Sequence, residues 1–334
     1  MKILVTGGTG FIGSHTVVEL LNKNHEVVVV DNLINSKIGV VDRIKKITNK
    51  DFVFYNADIC DFSAMDEIFK KEHFDCVIHF AALKSGADSI KNPGLYYHNN
   101  IDGTFVIVSL MEKYNVSKMI FSSSATVYGN SKNVPILETE EIGSVISPYG
   151  MTKYLIELYL KNKSEESKQF KVVAFRYFNP IGAHPSGLLG EDSPDKTPNN
   201  LMLYLLKVAK GELPYLRIFG NDYNTKDGSG IRDYIHVVDL SLGHVAALDY
   251  FDDMKNNFDV FNLGTGHGYT VYELVHSFER VNNIKIPCQV TGRRPGDVEI
   301  SFASVNKANK LLKWKAKYSI DDCVRDAWNF SKNN

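Results

Sequence analysis

The strand-like segment KILVT runs straight into Thr6-Gly7-Gly8-Thr9-Gly10-Phe11-Ile12-Gly13, and this junction constrains the fold more than any other. Gly7, Gly10 and Gly13 form G-x-x-G-x-x-G at the opening of a helical stretch. Glycine there permits a tight turn, close approach of backbone to a ligand, and close packing of helix on strand. The N-terminus of the following helix offers unpaired N–H groups and a partial positive charge, which suits a pyrophosphate. A glycine-rich turn alone is a weak signal. Placed between a strand and a helix at the head of an alternating unit, it predicts dinucleotide binding.

The alternation continues. Strands are expected at 2–6, 26–31, 52–55, 76–80, 118–122 and 171–176, and helices at 13–22, 63–72, 95–114 and 149–163. Unbroken apolar strands such as VVVV need both faces covered. The pattern predicts an α/β chain with a Rossmann-type, doubly wound parallel sheet. Residues 179–234 are instead rich in Asn, Pro, Gly and Asp, as in a loop-rich cap over the carboxyl ends of the strands. The expected division is therefore a dinucleotide domain over 1–178, re-entered at about 235–270, and a smaller, loop-rich α/β substrate domain, mainly 179–334. The 334 residues suffice for two domains around a cleft.

Asp31 ends the second strand at the spacing of a ribose-reading acid. Its carboxylate can accept from both ribose hydroxyls and would repel a 2′-phosphate, which favours NAD over NADP; the alternative is a turn cap. Asp58, after the third strand, can accept from the adenine amino group or cap the strand end.

Ser124 closes the SSS run of the fifth strand, and Tyr149 and Lys153 stand four apart on one helical face. Tyrosine is a poor base at neutral pH because its ordinary pKa is about 10. A nearby ammonium and a positive nicotinamide both favour the phenolate. Bringing it to neutrality takes roughly 4 kcal/mol of differential stabilisation. Ser124 would hold the substrate oxygen while the proton moves.

Composition excludes several classes. The net charge is −1, which gives no basic field for nucleic acid or anionic membrane. The run RIKKITNK at 43–50 reads as a solvated helix face rather than a binding patch. No apolar run approaches the roughly 20 residues of a membrane helix. Cys60, Cys76, Cys288 and Cys323 form no C-x-x-C pair, so no metal site is expected. Free thiols and the absence of a leader pattern suggest the cytoplasm.

The dinucleotide loop, serine and Tyr-x-x-x-Lys match the extended short-chain dehydrogenase/reductases. The runs DNLINS, HFAALK, SSSATVYG, SPYGMTK, RYFNPIGAHPSG, PNNLM and IFGNDYNTKDGSGIRDYIHV narrow the match. From Lys2 to the region of Trp314 the chain resembles the UDP-glucose 4-epimerase family. That resemblance implies a galactose-pathway enzyme interconverting UDP-glucose and UDP-galactose through a 4-keto sugar, with NAD held throughout. It implies an NAD site at Phe11, Ile12, Asp31, Asn32, Asn35, Ser36, Asp58, Ile59, Phe80, Ala81, Ala82, Lys84, Asn99, Ser122, Tyr149, Lys153, Tyr177 and Phe178. It further implies UDP-sugar contacts at Lys84, Ser124, Ala125, Thr126, Tyr149, Tyr177, Asn179, Asn200, Leu201, Arg217, Phe219, Arg232, Arg294, Asp297 and Ser301. The fork-shaped Arg232 and Arg294 suit a diphosphate, although either alone reads equally as a surface ion pair.

Ser301 stands where some family members carry a tyrosine beside the sugar. The smaller residue suggests that UDP-N-acetylglucosamine and UDP-N-acetylgalactosamine are also accepted, unless another side chain closes the pocket. The resemblance also implies a homodimer formed by the helices at 95–114 and 149–163, which can equally pack only on the sheet. Two rivals stay open. One is a 4,6-dehydratase or decarboxylase of the same superfamily, against which Ala125-Thr126 lacks the acidic pair after the serine. The other is a non-catalytic NAD sensor, against which Tyr-x-x-x-Lys is retained.

Overall fold

The computed structural model describes residues 1–131, 133–142, 145, 147–192, 198, 200–294 and 296–333. Part of the expected cap, residues 193–197, and Asn199 of the PNNLM run lie outside the described residues.

The first half alternates as β1 (Lys2–Thr6), α1 (Phe11–Asn22), β2 (Glu26–Asp31), α2 (Gly39–Thr48), β3 (Val53–Asn56), α3 (Phe62–Glu72) and β4 (Cys76–His79). Then follow α4 (Gly86–Lys91), α5 (Pro93–Tyr97), a π-helical turn (His98–Asp102), α6 (Gly103–Lys113), β5 (Lys118–Ser124), α7 (Pro148–Glu166) and β6 (Lys171–Tyr177). The second half comprises β7 (Asn179–Ile181), α8 (Leu201–Ala209), β8 (Leu216–Phe219), β9 (Ile231–Arg232), β10 (Tyr234–His236), α9 (Val237–Asp253) and β11 (Phe258–Leu263). It ends with β12 (Tyr269–Thr270), α10 (Val271–Asn282), β13 (Cys288–Thr291), β14 (Ile300–Ser301), α11 (Asn306–Leu311) and α12 (Ile320–Ser331).

Among the described residues, seven parallel strands form one sheet in the order β11-β6-β5-β4-β1-β2-β3. The order reverses between β1 and β4, and a cleft opens at the carboxyl ends there, as the doubly wound topology requires. Pleating sends alternate side chains to opposite faces, so each face builds its own core. Ile3, Val5, Val27 and Val29 pack with α1 and α9, whereas Leu4, Val28, Val30 and Val77 pack with α3, α6 and α7. The apolar return noted near Phe261 is β11, which pairs with β6 as the edge of this sheet. A separate core of Met202, Leu205, Ile218, Tyr234, Leu274, Phe278 and Val324 lies among α8, β8, β10, α10 and α12.

Most elements fall within two residues of their expected bounds. The helix expected at 95–114 is different: it is broken by the π-helical turn at 98–102. That turn directs Asn100 inward, where its side-chain carbonyl accepts from Leu83 N at 2.8 Å and its amide donates to Thr152 Oγ1 at 3.0 Å. Such turns occur frequently at functional sites.

Candidate functional site

The glycine turn forms the floor of the cleft. Gly7 has φ +69°, and a Cβ there would stand 2.7 Å from Ala81 N, the backbone of the segment after β4. A Cβ on Gly13 would approach Gly7 O to 2.2 Å. Both positions therefore need glycine for α1 to seat on the turn. Gly10 caps α1 without a side-chain bond, and the first turn carries no acidic residue. The N–H groups at this helix end are thus left to an anion.

The cleft, open to solvent, spans about 1000 Å³ of empty space. Its walls bring together Gly7, Gly10, Phe11, Ile12, Gly13, Asp31, Asn32, Asn35, Ser36, Phe80, Ala81, Lys84 and Asn99, and at the far end Ser122, Tyr149, Lys153 and Tyr177. Ile59 and Ala82 line it as well. Asp31 sits at the end of β2. One oxygen accepts from Thr9 N at 3.1 Å, and the other from Leu33 N at 2.9 Å and Ser36 Oγ at 3.1 Å. Three of its roughly four acceptor positions are therefore engaged, leaving one rather than two for ribose hydroxyls. Asp58 differs from expectation too. It accepts from Asn32 Nδ2 at 2.9 Å and Cys60 N at 2.8 Å, and its neighbours Ala57 and Ile59 form the wall instead. Partial burial pushes its carboxyl up, but these donors outweigh that and hold it below the usual range. Phe178 packs with Val127, Tyr128, Ile136 and Ala303 rather than in the cleft wall.

At the far end, β5 delivers Ser124 and the first two turns of α7 deliver Tyr149 and Lys153. Ser147 caps α7 by accepting from Gly150 N at 3.2 Å, and Pro148 occupies the first position, which fixes where the helix starts. Ser124 Oγ accepts from Thr126 N at 3.2 Å and Thr126 Oγ1 at 2.9 Å. With both lone pairs engaged, its hydroxyl hydrogen is left for the Tyr149 oxygen. Lys153 is buried; its Nζ donates to Ser122 O at 2.7 Å and lies 4.9 Å from the centre of the Phe121 ring.

The electrostatics of the protein alone differ from the sequence expectation. Burial raises the Tyr149 hydroxyl above its ordinary value, and the Ser124 hydroxyl only partly opposes it. Burial also lowers Lys153 to about 7, against the pull of Glu157. Both groups sit where charge is poorly solvated, and desolvation disfavours phenolate and ammonium alike. Tyr177 donates to His244 Nε2 at 2.5 Å, while His244 Nδ1 donates to Leu240 O at 2.9 Å, an arrangement that requires a neutral imidazole. Burial lowers His244 to about 4, which keeps it neutral.

The second half gathers a cationic cluster of its own. The Arg217 guanidinium lies 6.0 Å from the Phe219 ring centre and Arg294 lies 4.6 Å from it. Arg294 donates to Asp297 at 2.8 and 3.1 Å, and Asp297 is 3.9 Å from Arg232. Ser301 is the register partner of Arg232 between β14 and β9. Asn179 N donates to Asp233 O at 2.9 Å, next to Arg232. Asn200 caps α8, which begins at Leu201, and its amide donates to Glu191 at 3.0 Å. Glu191 also pairs with Lys84 at 2.8 Å, linking the cleft wall to the start of α8.

A family model described as GDP-mannose 4,6 dehydratase matches residues 4–327. The UDP-glucose 4-epimerase of Bacillus subtilis is 49% identical over 334 residues, covering 100% of this chain and 98% of the relative. The chain belongs to the UDP-glucose 4-epimerase family.

Solved structures agree with this membership. The UDP-glucose 4-epimerase of Bifidobacterium longum, in complex with NAD+ and UDP, is 46% identical, with a TM-score of 0.96 over 100% of this chain and 99% of that one. The enzyme from Stenotrophomonas maltophila, with bound NAD and formylated UDP-arabinopyranose, is 44% identical, with a TM-score of 0.97 over 100% and 98%. Members of this epimerase family and the 4,6-dehydratases share one fold, so the broader dehydratase description and the epimerase relatives are compatible.

Sequence reasoning missed Val30, Ile34, Ala57 and Leu83 in the cleft wall, because apolar residues carry no chemical signature. It also missed Glu191, His244 and the carboxylate of Glu157. Only Glu157 offered a signal, standing four residues beyond Lys153 in the helix that carries Tyr149. Among the described residues no helix is long and apolar enough to cross a membrane.

Proposed function

We propose that this chain interconverts UDP-glucose and UDP-galactose by reversible oxidation at C4, with NAD bound throughout. The observation that carries this reading is that Tyr149 and Lys153 stand at one end of a dinucleotide cleft with the Ser124 hydroxyl against Tyr149, in a chain that also gathers an arginine cluster. The cofactor fits: Gly7 and Gly13 admit close backbone approach, and α1 leaves its N-terminal donors free. When bound, NAD supplies the reversible hydride chemistry at C4.

The protein's own residues do the rest. Ser124 donates to the C4 oxygen, and Tyr149 takes the hydroxyl proton in one direction and returns it in the other. Tyr149, raised by burial in the protein alone, would be shifted toward phenolate by a positive charge held in the cleft. Arg232 and Arg294 hold the diphosphate, so the flat keto sugar can turn about that anchor and present its other face. Asp31 selects NAD over NADP, because a 2′-phosphate would meet its carboxylate. Asp297, Asn179 and Asn200 bind the nucleotide and sugar by neutral or accepting contacts. Residues 1–178 with 235–270 form the NAD-binding part, and the remainder forms the UDP-sugar part.

N-acetylated UDP-hexoses are substrates too. Parallel register with Arg232 directs Ser301 to the same sheet face, where a small side chain leaves room for the acetyl arm. The protein works as a cytoplasmic homodimer: α6 and α7 meet through Phe105 and Tyr159, with ring centres 4.5 Å apart, and Leu95 of α5, Phe105 of α6 and Leu155 and Leu158 of α7 are left exposed. The four cysteines are free, in keeping with a reducing compartment.

The test is turnover of UDP-galactose by purified protein with no added nucleotide, together with identification of the nucleotide released by acid. The expected result is UDP-glucose formation and release of NAD. Recovery of NADP, or stoichiometric consumption of added reduced cofactor, sinks the reading.

A further inference from the structure

Behind the reactive groups, and outside the cleft wall, lies a buried ion pair. Arg176 Nη2 donates to Glu157 Oε2 at 2.7 Å and Arg176 Nε to Glu157 Oε1 at 3.1 Å, with both side chains only 5% exposed. Ser123 Oγ donates to the same Oε1. Arg176 also donates to Glu138 O at 3.3 Å, and its guanidinium lies 4.7 Å from the Tyr128 ring centre. Each member is next to a reactive position. Ser123 precedes Ser124, Arg176 precedes Tyr177, and Glu157 lies one helical turn beyond Lys153 and two beyond Tyr149. Ser123 and Arg176 are register partners in β5 and β6, as Ser124 and Tyr177 are.

One ion pair thus braces the three elements that carry the reactive groups. Stability alone does not account for it, since well-packed apolar residues of similar volume commonly serve as well as a buried pair. What the pair adds is direction: a bidentate fork fixes helix against strand both along and around the axis. We propose that Glu157 and Arg176 are positioning residues that set the register of α7 against β5 and so fix where Tyr149 and Lys153 stand. This rests on the reading of Ser124, Tyr149 and Lys153 as the proton-transfer centre.

The experiment uses NAD-loaded protein and compares wild type, Glu157→Gln and Glu157→Asp. NAD content, KM for UDP-galactose and the pH dependence of kcat are measured for each. Misplacing a reacting group by about 1 Å costs on the order of 10²-fold, and both variants should lose kcat on that scale with KM and NAD content unchanged. Glu157→Asp keeps the charge and shortens the reach, so a loss of kcat in it, with an unmoved pH profile, reads position rather than charge. Wild-type kcat in Glu157→Asp overturns the clamp. If Glu157→Gln fails to fold, Arg176→Lys replaces it: it keeps the charge but breaks the fork, and unaltered kcat there overturns the clamp. Inactive wild type sinks the functional reading itself, whereas active wild type with unaltered variants sinks the clamp alone.

Discussion

At the scale of single residues, the chemistry depends on a proton moving between groups that the protein keeps poorly solvated. Tyr149→Phe removes the acceptor and leaves the packing of the ring. Turnover should fall by about 10²–10⁴, the usual size of an acid–base contribution, with NAD still bound. Steady-state kinetics on the folded variant decide this, and unchanged kcat removes Tyr149 as the base. Ser301 concerns selectivity rather than chemistry. An acetamido arm must fit in both orientations of the sugar, and a tyrosine ring would overfill that space at a cost of about 1–3 kcal/mol or more. Ser301→Tyr should therefore lose kcat/KM on the acetylated substrates selectively and keep it on the plain hexoses. Equal loss on both, or a native protein inert toward the acetylated pair, contradicts the gate. The sequence made Tyr149, Lys153 and Ser124 legible because their spacing is a chemical signature. It could not reveal that burial moves Tyr149 up and Lys153 down, since desolvation arises only when distant segments close over them. Nor could it reveal that Asp31 already serves three local donors.

At the scale of elements, periodicity marked the strands and most helices, because a strand covered on both faces must be apolar throughout. The failure at 95–114 is instructive. Asn99 and Asn100 sit in a helical pattern, and only the tertiary bonds of Asn100 to Leu83 and Thr152 favour the π-helical turn. The same holds for the small strands β9, β12 and β14, whose two-residue lengths are below what alternation can register. The seating of α1 on the glycine turn gives an element-scale test. Gly13→Ala places a methyl 2.2 Å from Gly7 O, a backbone atom with no side-chain freedom to yield. The variant should lose about 1–3 kcal/mol of stability and much of its NAD. Thermal unfolding with nucleotide analysis reads both, and a wild-type Tm with full NAD content refutes the tight-seating account.

At the scale of the whole molecule, the sheet with a core on each face is joined by a separate core in the second half. The parallel sheet holds the glycine turn and the reactive trio at its carboxyl edge, and the second half holds the arginine cluster. Long motifs such as RYFNPIGAHPSG showed that the two belong together, but not the Lys84–Glu191–Asn200 link between them, because Glu191 sits in an otherwise unremarkable loop. The central claim is that hydrogen leaves C4 and returns to C4 without escaping the protein. UDP-galactose carrying deuterium at C4, turned over in ordinary water, tests it most directly. The account predicts UDP-glucose with the deuterium still at C4 and no solvent hydrogen in the sugar ring. Loss of that deuterium to water, or a dehydrated sugar product, would contradict it.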